Sequence, residues 1–202
     1  MTAPNKRTRE DPRGRTTELA FLRATERLLD EGASYRDLNV SVVAERAGRT
    51  RTAFYARFKD RNDLLLSLLA ESTTQALTVL HLFFTSDSEF SLGELTKSVR
   101  SLLAAFSEHS TLIRAVIEAA GYEEDIAEYW DNIIGQVIDV AKERLKLSGF
   151  GDADAAATAT TLVWMTERMC YQHTVRGRLG LSDDAVVASI SDVWFAVLRS
   201  RS

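Results

Sequence analysis

From Thr17 to the C-terminus the apolar residues of this chain recur at helical spacing, and no segment of useful length alternates apolar with polar as a half-buried strand would. Phe21 and Leu28, then Leu22 and Leu29, stand one heptad apart before Gly32 offers a stop. Later periodic segments are separated by short breaks at SDS (86–88), near Gly121, at SGFGD (148–152) and at GRLGLSD (177–183). The spacing predicts an all-α chain of about nine helices without internal repeats. With 202 residues and 45% hydrophobic content it is long enough to bury a sizeable core.

The segment RAGRTRTAFYARFKDRNDLL (46–65) gathers basic and aromatic side chains around one glycine. Asn39 is placed to cap a short helix with Val40, Val43, Ala44 and Ala47 as its apolar stripe, and Gly48 permits a tight turn. Thr50 then caps a second helix, in which Phe54 and Phe58 face inward while Arg51, Thr52 and Tyr55 share the outer face. Asp60 caps the next helix, with Asp63 in a capping-box-like position. This is the pattern of a helix-turn-helix. The first turns of a recognition helix meet base edges, where Arg51 donates to guanine and Thr50 and Thr52 stand near bases. Tyr55, Lys59 and Arg61 are placed for phosphates, and Arg57 for either. Pattern alone leaves an ordinary helical hairpin with solvated basic residues equally open.

Charge sharpens the choice. The net charge is −4, yet residues 1–62 hold 14 Lys/Arg against 9 Asp/Glu, and residues 63–202 hold 11 against 20. A basic head on an acidic body is the footprint expected when only the head approaches nucleic acid. The chain divides into a disordered basic arm (1–16, with Lys6, Arg7, Arg9, Arg13 and Arg15), a helix-turn-helix domain (17–62) and a larger helical domain (63–202). A lone Cys170, no apolar leader, and no run near the roughly 20 apolar residues of a membrane span point to a soluble, unprocessed, cytoplasmic protein.

The larger domain concentrates bulky side chains: Phe106, Tyr129, Met165, Met169, Tyr171 and all three tryptophans, Trp130, Trp164 and Trp194. Aromatic walls with few polar groups suit a cavity for an apolar small molecule, here with Phe106, Trp130, Ile134, Val163, Thr166, Cys170 and Trp194 as lining; a solid helical core is the alternative. The helix 183–199 carries Val186, Ile190, Val193 and Val197 on one stripe with Val187, Trp194 and Leu198 beside it. Together with the small-residue helix ADAAATATTLVWM it offers a four-helix interface between two copies, and a two-headed reader suits a palindromic operator. No Gly-rich phosphate loop, nucleophile elbow or triad is present, and the acidic run YEEDIAEYWD (122–131) reads as solvated helix-start charge. No catalytic residue or cofactor is expected, and His81, His109 and His173 do not cluster as metal ligands.

These residues resemble the TetR family of one-component regulators, whose helix-turn-helix reads approximately A-x-x-A-G-V-S-x-x-x-x-Y-x-x-F-x-x-K-x-x-L. Ala44, Ala47, Gly48, Thr50, Tyr55, Phe58 and Leu64 match; Arg49 stands where a small apolar residue is usual, and Arg61 where Lys is usual. AEYWDNI, WMTERM and ISDVWFAVL are similar to segments of the ethionamide-resistance regulator (EthR) branch. That resemblance implies ligand-channel roles for Trp130 and Trp194, while two channel asparagines of the branch fall at Val163 and Thr166, so a ligand is held by other hydrogen bonds here. It implies a dimeric repressor of double-stranded operator DNA, released by an apolar small molecule; the alternative is a helical DNA-binding dimer that senses nothing.

Overall fold

The computed structural model describes residues 12–85 and 91–201, and of residues 75–77, 79–83 and 85 the backbone only. Regular structure among them is helical throughout: α1 (Pro12–Asp30), α2 (Val40–Arg46), α3 (Arg51–Tyr55), α4 (Arg61–Thr85), α5 (Leu92–Glu108), α6 (Ser110–Ala120), α7 (Glu124–Leu147), α8 (Asp152–Cys170) and α9 (Asp183–Arg199). They fall into two compact units, Met1–Leu68 and Leu69–Ser202, with the division inside α4.

In the first unit, α1 begins at Pro12, five residues before the apolar periodicity does. Proline suits a first helical position, because its ring presets φ and its missing N–H has no partner to lose there. The hydroxyls of Thr16 and Thr17 donate back to the carbonyls of Pro12 and Arg13. Residues 12–16, expected in a disordered arm, are therefore helix, and the rest of that arm lies outside the described residues, as does the break at 86–88. At its other end α1 stops where Gly32 takes φ +98°; the Gly32 amide donates to Leu29 O and the Ala33 amide to Leu28 O. Gly48 ends α2 in the same way at φ +62°, with the Arg49 amide on Ala44 O.

Three rings hold this unit together. Phe54 and Phe58 both meet Phe21 of α1 edge-on, with centroids 5.4 and 6.0 Å apart, and all three are buried. Between α1 and α2 a single 3₁₀ turn, Tyr35–Asp37, sends Tyr35 and Leu38 into the core. Nothing in the apolar periodicity marks that turn, yet Ser34 and Asp37 have capping-box spacing: the Ser34 amide and hydroxyl both donate to Asp37 Oδ2, at 2.9 and 2.6 Å. Those bonds hold the Asp37 carboxyl below its usual range.

The second unit packs α7 against α6 and α8, and α5 against α9. α5 and α6 part at His109, a break no Gly or Pro announces. On α8 the small residues divide: Ala155 and Ala159 are buried, while Ala157, Thr160 and Thr161 are exposed. α9 spans the expected 183–199, but its buried stripe is Val186, Val187, Ile190, Ser191, Trp194 and Leu198, and Val193 is turned outward, 40% exposed. The fully apolar stripe that includes Val193 is thus displaced by one that admits Ser191, whose hydroxyl donates to Val187 O and needs no other partner.

Phe54→Ala is expected to cost about 3–5 kcal/mol, because it removes the ring between Phe21 and Phe58 and leaves a cavity. Equilibrium denaturation followed by circular dichroism measures this, and an unshifted midpoint would remove the three rings as the unit's anchor.

Candidate nucleic-acid face and ligand cavity

The outer face of the first unit is set by its caps. Asn39 Oδ1 accepts from the Val42 amide at 3.0 Å, and Thr50 Oγ1 from the Ala53 amide at 3.1 Å, so both short helices start where their side-chain caps dictate. With Phe54 pointing inward, the helical rotation leaves Arg51, Thr52 and Tyr55 exposed on α3. The Tyr55 ring is 53% exposed and rests edge-on against Phe54, centroids 5.4 Å apart, with its hydroxyl end in solvent. Arg49, at the unusual position after the glycine, is exposed too and donates to Gly48 O at 3.1 Å, so the turn packs without it.

The remaining basic residues differ in freedom. Lys59 is exposed, with Nζ 3.8 Å from an Asp60 carboxylate oxygen. Arg57 is half-buried. Arg61 lies with its guanidinium 4.4 Å above the Tyr35 ring, and the Tyr35 hydroxyl bonds Asn62 Oδ1, so both residues that open α4 are tied to the 3₁₀ turn. Asp60 Oδ1 accepts from the Asp63 amide as expected, and Asp63 Oδ2 reaches back to accept from the Lys59 amide. Tyr35 is the positioning residue that apolar periodicity missed.

Within the second unit, five helices besides α4 surround a cavity of about 120 Å³. Leu69, Ser72, Thr73 and Phe84 of α4 line it, with Leu95, Val99 and Phe106 of α5 and Leu112 and Ile113 of α6. Trp130, Ile133, Ile134 and Val137 of α7, Val163, Thr166 and Glu167 of α8 and Trp194 of α9 complete the wall. The structure thus brings together six of the seven expected lining residues. Cys170 is the exception: it is buried off the wall, its thiol pushed up to about 12 by burial and then by the neighbouring Glu167 charge. Trp164 lies off the wall as well, 37% exposed, at the edge of the α8 face that carries Val163 and Glu167.

Ser72, Thr73, Ser98 and His109 interrupt the apolar wall, and α8 adds Thr166 and Glu167. The Trp194 indole N–H donates to Thr166 Oγ1 at 2.9 Å, and that hydroxyl donates to Leu162 O at 2.8 Å, so Thr166 closes its own hydrogen-bond needs while fixing Trp194. Trp194 also meets the Phe84 ring, centroids 5.5 Å apart. Glu167 is 4% exposed, and among the described residues neither of its carboxylate oxygens has a hydrogen-bond partner. Burial pushes its carboxyl up, opposed only by the nearby Arg168 charge. Sequence reading passed over it because an acidic residue inside a helix is ordinarily solvated; its spacing of four from Val163 was the available signal.

Comparison with known proteins adds family context. Residues 95–199 match the family model described as the C-terminal domain of the transcriptional regulator EthR. The HTH-type transcriptional regulator EthR of Mycolicibacterium smegmatis is 24% identical over 196 residues, covering 95% of this chain and 90% of its own. Among solved structures, SmeT, the repressor of the Stenotrophomonas maltophilia multidrug efflux pump SmeDEF, superposes with a TM-score of 0.70 at 17% identity, covering 90% of this chain and 91% of its own. The TetR family repressor AlkX from Dietzia sp., implicated in biodegradation of n-alkanes, does so with a TM-score of 0.56 at 16% identity, covering 96% and 98%.

Glu167 gives a pH signature. A carboxyl raised in the folded state binds its proton more tightly there than in the unfolded chain, so its contribution to stability is greatest at low pH and declines as pH rises through the raised value. Glu167→Gln, which cannot ionise, is expected to raise the melting temperature at about pH 8 and to leave it nearly unchanged at about pH 4. Thermal melts of both proteins across that range check this; a variant that melts lower at high pH would show that the carboxylate is satisfied.

Proposed function

Because the chain belongs to the TetR family of transcriptional regulators, in the group that carries the EthR C-terminal domain, we propose that it binds palindromic operator DNA as a dimer and is released when an apolar small molecule fills the cavity. The observation that carries the DNA-binding half is the exposed face of α3, where Arg51, Thr52 and Tyr55 stand clear while Phe54 and Phe58 anchor the other side. Arg51 and Thr52, with Thr50 at the cap, read base edges in the major groove. Tyr55, Arg57 and Lys59 hold phosphate; Arg61 does so from its seat on Tyr35.

Repression is favoured over activation because SmeT and AlkX are repressors. Ligand release is favoured over a dimer that senses nothing because a filled core would serve dimerisation alone, whereas this unit keeps a cavity walled by Phe106, Trp130, Ile134, Val163, Thr166 and Trp194. Ligand occupancy then shifts the dimer between two separations of its DNA-reading heads, and operator and ligand weaken one another by the same factor. For the dimer contact, Trp164 of α8 and Val193 of α9 supply exposed apolar surface beside the exposed small residues Ala157 and Thr161.

Two variants test this reading on operator fragments selected from genomic DNA. Arg51→Ala is expected to cost about 1–3 kcal/mol and to relax preference at one position per half-site. Lys59→Ala should weaken operator and random duplex alike and lower the salt slope by about one ion. Gel-shift titrations in which both variants match the parent on both duplexes would overturn the assignment of α3. Trp164→Glu is expected to turn the dimer into a monomer in sedimentation velocity and to abolish operator binding with it; a variant that stays dimeric would place the interface elsewhere.

A further inference from the structure

Glu167 is costly where it stands. Its wall of the cavity is mostly hydrocarbon and aromatic rings, with Ser72, Thr73, Ser98, Thr166 and His109 as its other polar members, and an ionised carboxylate in such surroundings is tolerated only with a partner. The neighbouring groups supply a charge but, among the described residues, no hydrogen bond. Arg168 brings Nε to 3.7 Å of Oε2, beyond hydrogen-bond reach, and its exposed guanidinium lies over the Tyr171 ring at 5.2 Å. Thr166, the next residue along α8, already spends its hydroxyl proton on Leu162 O and accepts from Trp194. Neither Glu167 oxygen has a hydrogen-bond partner among the described residues, and both are buried, so a ligand reaches them once the side chain turns toward the cavity it lines.

The chemistry of that pair of oxygens selects the occupant. In its ionised form the carboxylate only accepts, so an ether, ester, ketone or second carboxylate brings that form nothing, and each can pair only with the protonated acid. An alcohol brings one donor. A protonated amine brings two or three donors and the opposite charge, which satisfies both oxygens and offsets their desolvation. The Trp130 and Trp194 rings in the same wall add cation–π attraction, while Leu69, Phe106 and Ile134 offer only apolar contact to the rest of a ligand. The other ionisable group on the described wall, His109, is half-buried at the end of α5, and with the hydroxyls of Ser72, Thr73 and Ser98 it is where an acid would compete.

We infer that the cavity takes an apolar amine, with its ammonium on Glu167 and its hydrocarbon against the aromatic and aliphatic wall. The inference rests on the proposed reading of this cavity as the ligand site, and it turns Glu167 from an unexplained burial into the residue that sets ligand class.

Isothermal titration of the full-length protein near neutral pH with octylamine, 1-octanol and octanoate separates the two claims, because the three probes share a chain and differ in head group. Octylamine is expected to bind at least about tenfold more tightly than octanol, the strength of a charge-assisted over a neutral hydrogen bond. Glu167→Gln should bring octylamine to within about twofold of octanol by weakening the amine far more than the alcohol, and Glu167→Asp should restore part of the preference. Far-UV circular dichroism of each variant confirms that it is folded. Octanol equal to octylamine on the parent, tighter binding of octanoate, or an amine preference that survives in Glu167→Gln would each overturn the inference while leaving the cavity as a ligand site. Binding of none of the three probes to the parent would overturn the ligand-site reading and the inference with it.

Discussion

A helix of five residues cannot hold itself together in water, since fixing its first turn costs more than its few internal hydrogen bonds return. α3 is such a helix, and it exists because Phe54 and Phe58 are clamped against Phe21. Every statement about what faces outward follows from that clamp. The 100° step of the helix leaves Arg51, Thr52 and Tyr55 exposed, Tyr55 with its ring against Phe54; the turn at Gly48 fixes where the helix enters, and Thr50 fixes where it begins. The chemistry on the outer face is thus set by packing on the inner one.

Local chemistry made much of this legible before any coordinates. Asn39, Thr50 and Asp60 each cap the helix they were expected to cap, and α9 runs over the residues its pattern indicated, because a side-chain oxygen satisfying an orphan amide acts within four residues. Features set at longer range were less legible. Tyr35 enters the core through a turn too short to show a period, the α5–α6 break at His109 lacks a breaker residue, and Val193 lies outside a stripe that hydrophobicity alone would have given it. Phase decides such cases, and phase depends on neighbours. The cavity lining was readable for the same reason that Cys170 was misplaced: large aromatic residues on several helices converge somewhere, but which atoms of α8 face the gap depends on how α7 and α9 meet it. Glu167 was hidden by its type, since composition treats a glutamate as surface.

The cavity and the core around it are governed by the same rule of polar satisfaction. Thr25, Thr166 and Ser191 are buried with their hydroxyls returned to a carbonyl one turn back, so each is nearly as inert as an apolar residue. Thr166 goes one step further and seats the Trp194 indole, fixing a ring that would otherwise be free to collapse into the space. A seated Trp194 and a bonded Thr166 resist closure of the void better than flexible side chains would, which helps a helical unit of this size keep open space at its centre.

The division between the two units falls between Leu68 and Leu69, inside a continuous helix rather than in a loop. Leu65 belongs to the core of one unit and Leu69, one turn on, to the cavity wall of the other. One residue inserted or deleted just after Leu69 would rotate Ser72 and Thr73 by about 100° relative to it, so that the three could no longer share one wall. Surface loops of such a chain are free to lengthen or shorten over evolutionary time; this stretch of α4 is locked in register, and descendants can exchange its side chains but not its length.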